Sequence, residues 1–261
     1  MIKLTRIASD VENAPKIFIV SGGPGLSSQT MRDLDILKRS FELIYLDFQG
    51  TNDSEYLGKK SFDELSQSIS QVVKNESGRK YILGHSFGGI FAADVMLRET
   101  LDGLICIAAP FTERVLLAAN DNYASYMTPE LSKAEQLWSQ EQDDKSMAKW
   151  LSEYGVLYFT NPKGKELLLQ DKASASFFKD NRADAANKED LLKSLSDVNK
   201  TKIFICGKED KLLPSEILIK DAELGNFDVF EIEEASHFVT FDRPELVASL
   251  IENKLLRPEG E

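Results

Sequence analysis

The sequence predicts an α/β fold: a mostly parallel central sheet flanked by helices, with a helical cap inserted late in the chain. Three observations predict it. Short apolar runs alternate with helical stripes over most of the 261 residues. That rhythm stops between residues 111 and 199, where the pattern is mainly helical. It resumes at Lys202.

The strands come first. Runs at 17–20, 43–46, 81–83, 104–108, 202–206 and 227–232 are short, apolar and bounded by turn residues. Such runs read as strands buried on both faces, the environment of a parallel sheet. The first ends at Ser21-Gly22-Gly23-Pro24-Gly25, the second at Asp47 and the third at Gly84.

Helical stripes fill the gaps. Met31, Leu34 and Leu37 recur every third residue, with Phe41 four later. Phe62, Leu65, Ile69 and Val72-Val73 form a second stripe, Phe91, Val95 and Met96 a third, and Leu246, Leu250 and Ile251 the last. Pro244 suits the first turn of that last helix, where no N–H is needed. The simplest division is a core at 1–110 and 200–261 with a cap at 111–199. One strand-like run, Val156-Leu157-Tyr158-Phe159, stands isolated inside the cap. The tail at 257–261 is expected to fray.

Bulk properties narrow the function. The length suits one large α/β domain, or one domain with an insertion. The formal net charge of -12 repels phosphate backbones, so no nucleic-acid partner is expected. The charge serves solubility, or favours a cationic substrate. Cys106 and Cys206 each sit in an apolar run and read as buried strand residues, not as a disulfide. No apolar stretch approaches the length of a membrane span, and the N-terminal residues lack a leader-like apolar segment. No membrane partner is expected, and the expected location is cytoplasmic. Oligomeric state is not readable.

One motif carries chemistry. Gly84-His85-Ser86-Phe87-Gly88-Gly89 fits G-x-S-x-G, after a strand-like run and before a helix-like one. That setting suits a serine on a sharp turn, its hydroxyl projecting from the end of a sheet. A serine hydroxyl needs an adjacent base to become a useful nucleophile. The chain has two histidines. His85 adjoins Ser86, so its side chain should point elsewhere and pack beneath the turn. His237, on a loop between the last strand run and the last helix, is the expected base. Asp210, just past the run at 202–206, is the expected acid, with Glu209 a minor rival. The order Ser86, Asp210, His237 is the order of triads built on this kind of turn. The expected oxyanion donors are the backbone N–H of Phe87 and that of Gly23 in the glycine loop. This chemistry calls for no cofactor and no metal.

At these residues the chain resembles the α/β-hydrolase superfamily, and within it the proline iminopeptidase group. That group carries His-Gly-Gly-Pro-Gly in the oxyanion loop and an Asp-Gln-Arg-Gly stretch after the next strand. Here the matching stretches are Ser21 to Gly25, Asp47-Phe48-Gln49-Gly50 and Gly84 to Gly89. Ser21 replaces the histidine, and Phe48 and Gln49 replace the central pair. The short N-terminal part implies that the usual first strands are trimmed. The resemblance implies an α/β-hydrolase fold and a serine hydrolase that cleaves small ester or amide substrates, small molecules or short peptides, through an acyl-enzyme on Ser86. It brings in an iminopeptidase-like aminopeptidase and leaves open a carboxylesterase or lactonase, or a non-catalytic ligand-binding member. Iminopeptidases recognise a free amine with cap carboxylates. Glu113, Glu130, Glu135, Glu153 and Glu166 are the acids available in this cap, with none matched to that role.

Overall fold

The structure is a computed structural model that describes residues 2–185 and 187–256. The tail at 257–261 lies outside the described residues. Among the described residues seven strands form one sheet: β1 (Lys3–Ile7), β2 (Lys16–Val20), β3 (Glu42–Asp47), β4 (Lys80–His85), β5 (Gly103–Ile107), β6 (Thr201–Gly207) and β7 (Asp228–Ile232). Their spatial order is β1-β3-β2-β4-β5-β6-β7. All neighbours pair in parallel except β1, which runs antiparallel to β3. The β1 strand is not among the apolar runs read from the sequence. Its residues are half-exposed at a sheet edge, so they carry no apolar run.

The continuous apolar runs follow from burial on both faces. Side chains alternate across a strand with period two. Phe18, Ile44, Ile82, Leu104 and Phe204 enter one core, while Ile17, Leu43, Tyr81, Ile105 and Ile203 enter the other. Helices α1 (Phe62–Lys74) and α2 (Phe87–Arg98) follow β3 and β4. A capping box starts α1, with Ser61 and Glu64 satisfying each other's backbone N–H groups. The stripe at Met31, Leu34 and Leu37 belongs to a 3-10 helix, Ser28–Arg39. Three residues per turn is the period of that helix, which is why every third residue is buried.

Between β5 and β6 the chain forms α3 (Glu113–Ser125), α4 (Pro129–Glu141), α5 (Asp144–Glu153), α6 (Gly155–Tyr158), α7 (Gly164–Gln170), α8 (Ala175–Asn181), a 3-10 turn (Arg182–Ala185) and α9 (Glu189–Ser196). No strand interrupts them among the described residues. The strand-like run at 156–159 is therefore corrected: most of it is the short helix α6. Strand propensity needs a neighbouring strand to pair with, and this segment has only helices around it. Leu192 and Leu195 of α9 join the same core as Phe91 of α2. After β6 come α10 (Ser215–Leu224), α11 (Val239–Asp242) and α12 (Pro244–Leu256), with Pro244 at the start of α12 as expected. Cys106 and Cys206 are buried and unpaired.

Candidate active site

The parallel sheet sends the ends of β2, β4, β6 and β7 to one edge, where open α/β sheets gather their functional groups. Each carries one expected site residue on the loop that follows it.

Ser86 sits between β4 and α2 with φ 50° and ψ -123°, a backbone conformation that a residue with a Cβ rarely holds. The glycines around it permit the turn. A Cβ on Gly84 would strike the backbone of Gly88 and Gly89, and one on Gly88 would strike the carbonyls of Val20 and Ser21. Strand, turn and helix thus approach closer than any side chain allows. The Ser86 N–H is held by the Ile107 carbonyl at 2.7 Å. Phe87 opens α2, so its N–H belongs to the first turn, where backbone donors have no partner within the helix.

The glycine loop lies against this turn. A Cβ on Gly22 would meet His85 Nδ1 at 2.8 Å and Ser86 Cβ at 3.1 Å. Gly23 has φ 121°, a value that favours glycine. The Ser21 hydroxyl donates to the Leu26 carbonyl at 2.9 Å and closes the loop on itself. Gly23 and Phe87 line one cavity with Ser86 and His237.

His237 and Asp210 meet. His237 Nδ1 donates to Asp210 Oδ2 at 2.8 Å, and both side chains are buried. The other oxygen, Asp210 Oδ1, accepts from the backbone N–H groups of Leu212 and Leu213 at 2.9 and 2.8 Å. Those bonds fix the carboxylate against Nδ1 of His237. Glu209 is exposed, whereas Asp210 is buried.

His85 behaves as the packing residue its position implies. Its Nε2 lies 3.0 Å from the His237 carbonyl oxygen. A carbonyl only accepts, so Nε2 carries the proton. Burial, and then the nearby His237, push the His85 imidazole down to about 3, so it stays neutral. The loop of His237 is held from the inserted segment as well. The Tyr158 carbonyl accepts from Ser236 Oγ at 2.7 Å and from the Phe238 N–H at 3.3 Å.

The cavity measures about 310 Å³. Its walls are mostly apolar, with Leu26, Trp150, Leu168, Phe178 and Leu213 among them. No Asp or Glu lines it among the described residues. Of the five acids considered for an amine site, none lines the cavity. Glu135 instead accepts from the Tyr154 hydroxyl at 3.0 Å, and Glu153 pairs with Lys149 and Lys165. No cluster of His, Cys, Asp and Glu is placed to hold a metal ion among the described residues. No described helix is long and apolar enough to cross a membrane.

Sequence reasoning missed the groups that seat the glycine loop. Asp171 is buried and accepts from Ser27, both from its N–H at 2.9 Å and from its hydroxyl. Asp47 accepts from the Ser28 N–H and hydroxyl at 2.6 and 2.8 Å, and from Asn52 Nδ2 at 2.8 Å. Asp171 lies in the segment without sequence motifs. Its partner is 144 residues away in the chain, so no local pattern marks it.

Comparison with known proteins fits this geometry. No curated protein sequence gives a significant match. The structure is similar to an esterase from Exiguobacterium antarcticum, with TM-score 0.75 and 17% identity, covering 98% of this chain and 96% of that one. It is similar to a proline iminopeptidase-related protein from Thermus thermophilus, with TM-score 0.73 and 20% identity, covering 98% and 93%. It is also similar to a thermophilic esterase from Thermogutta terrifontis, with TM-score 0.72 and 17% identity, covering 97% and 92%. At these identities the likeness speaks for the fold alone. The model of the Alpha/beta hydrolase family matches residues 21–250, from the glycine loop to the last helix, and the chain belongs to that family.

Proposed function

We propose that the protein is a serine hydrolase that cleaves small carboxylic esters, lactones included, through an acyl-enzyme on Ser86. Ser86 Oγ attacks the carbonyl carbon while His237 Nε2 takes its proton. Asp210 keeps Nδ1 protonated and steadies the imidazolium. The N–H groups of Gly23 and Phe87 receive the developing oxyanion. The tetrahedral species collapses, the C–O bond breaks, and His237 returns the proton to the departing alcohol. Water then repeats the cycle on the acyl-enzyme and frees the acid.

The segment 111–199 serves as the cap that walls the acyl pocket. The observation that carries the reading is the cavity itself. It joins Ser86 and His237 to an apolar chamber of a size suited to a small molecule. The same chamber favours an ester over a peptide with a free amine. A buried ammonium needs a carboxylate partner, and no acid lines the wall among the described residues.

A fluorophosphonate probe is expected to label the protein and to spare Ser86→Ala. Turnover of p-nitrophenyl butyrate is expected to exceed that of proline naphthylamide by orders of magnitude. Equal labelling of the variant overturns the nucleophile, and a preference for the amide overturns the ester reading.

A further inference from the structure

We propose that the hydroxyls of Tyr123 and Tyr158 form a leaving-group subsite that takes an ether or hydroxyl oxygen on the alcohol portion of the substrate. The proposal rests on the serine-hydrolase reading and narrows its substrate to esters of alkoxy alcohols or polyols rather than of plain alkanols.

Tyr123, on α3, and Tyr158, at the end of α6, both line the cavity that holds Ser86. Their hydroxyl oxygens lie 2.8 Å apart. One hydroxyl donates to the other, which uses one proton of the two. Neither makes another side-chain hydrogen bond among the described residues, so whichever tyrosine accepts keeps an O–H to give. A donor on residues that line an apolar chamber is best satisfied by an acceptor on the molecule that fills it.

The couple stands on the leaving-group side. In acylation His237 must pass its proton to the departing oxygen, so the alcohol portion lies beside that ring. The Tyr158 ring is 5.7 Å from the His237 ring, centroid to centroid. The couple is also firmly supported. The Tyr158 carbonyl holds Ser236 and Phe238 on either side of His237. The Tyr123 ring packs edge-on against Tyr154 at 4.4 Å, and the Tyr154 hydroxyl donates to Glu135 at 3.0 Å. Burial pushes Tyr158 up to about 12 and raises Tyr123 as well, so both keep their protons at working pH. The subsite is therefore a neutral donor. It discriminates by hydrogen bonding and not by charge.

Two nearly isosteric esters test it: 2-methoxyethyl butyrate and n-butyl butyrate, which share an acyl group and differ by one oxygen. The ratio of their kcat/KM values is measured for the unsubstituted protein and for Tyr158→Phe, Tyr123→Phe and the double variant. Phenylalanine keeps the ring and the main-chain carbonyl, and thermal melting checks that each variant is folded. Each single variant is expected to lose about 10-fold more on the methoxyethyl ester than on the butyl ester, the scale of one hydrogen bond. The double variant should lose little more, because the couple acts as a unit. If Tyr158→Phe does not fold, Tyr123→Phe reads the same couple. A ratio that stays constant, or a parallel fall on both esters, means a structural role only and overturns the subsite. Absence of Ser86-dependent turnover and of fluorophosphonate labelling in the unsubstituted protein overturns the hydrolase reading, and the subsite with it.

Discussion

His85 donates a hydrogen bond from Nε2 to the main-chain carbonyl of His237 across 3.0 Å. The residue beside Ser86 thereby grips the loop of His237. Tyr158 grips the same loop through Ser236 and Phe238. The loop of His237 is held from the end of β4 and from α6 at once.

His85→Ala removes one of these grips. The His237 carbonyl loses its donor, and a space opens beneath the elbow. A small misplacement of a reacting group is costly. The variant is expected to show a kcat on p-nitrophenyl butyrate lower by about 10-fold or more, with a smaller change in KM. Steady-state kinetics read this directly. A full rate in a folded variant shows that the Tyr158 carbonyl alone suffices.

Asp210→Asn keeps the shape of the side chain and changes the tautomer it imposes on His237. Loss of kcat by about 10³- to 10⁴-fold is expected. Glu209 is exposed and turned to solvent, so Glu209→Gln should stay within about two-fold of the unsubstituted rate. Comparable losses in the two variants assign the acid wrongly.

Gly88→Ala tests the packing of the elbow. The added methyl meets the main-chain carbonyls of Val20, at the end of β2, and Ser21, at the start of the glycine loop. A destabilisation of about 1–3 kcal/mol is expected from urea unfolding, with slower fluorophosphonate labelling. An unchanged midpoint means that α2 shifts freely against β2.

Asp171→Asn has a signature in pH. Burial pushes the Asp171 carboxyl up to about 7 from 3.8, with Asp47 adding repulsion and Ser27 opposing. Between those values the folded protein keeps a proton that the unfolded chain has released. The stabilising contribution is therefore present in acid and fades as pH rises toward 7. His85 runs the opposite way: its contribution is present above 6.5 and fades as pH falls toward 3. Removing Asp171 leaves only the second trend of this pair. The melting temperature of Asp171→Asn, relative to the unsubstituted protein, is expected to worsen as pH is lowered from 8 to 5. A constant difference over that range means that Asp171 titrates at its ordinary value.

Much of this was legible in the chain. The apolar runs marked six of the seven described strands: β2 to β6 are buried on both faces and have little room for a polar residue, and the more exposed edge strand β7 still carries Val229, Phe230 and Ile232. Only β1 escaped, since Lys3, Thr5 and Arg6 interrupt its apolar residues and leave no run. The residues 156–159 misled for the converse reason: their side chains suit a strand, but the helices around them offer none to pair with. The spacing Gly84, Ser86, Gly88 marked the elbow, because the turn tolerates no Cβ at the flanking positions.

The sequence by itself determined the alternating strands and helices, the long helical stretch between β5 and β6, and a short set of candidate residues. These depend on local properties: burial period, turn chemistry and the scarcity of histidine in this chain. Only the tertiary structure decided how the candidates are held and what surrounds them. Asp210 reaches His237, His85 turns to the His237 carbonyl, and Asp171 holds Ser27, just past the glycine loop, from 144 residues away. It also decided which insertion residues face the chamber, setting Tyr123 and Tyr158 together and leaving the five glutamates outside. Those contacts join elements distant in the chain, and their energies come from desolvation and geometry that no local pattern encodes.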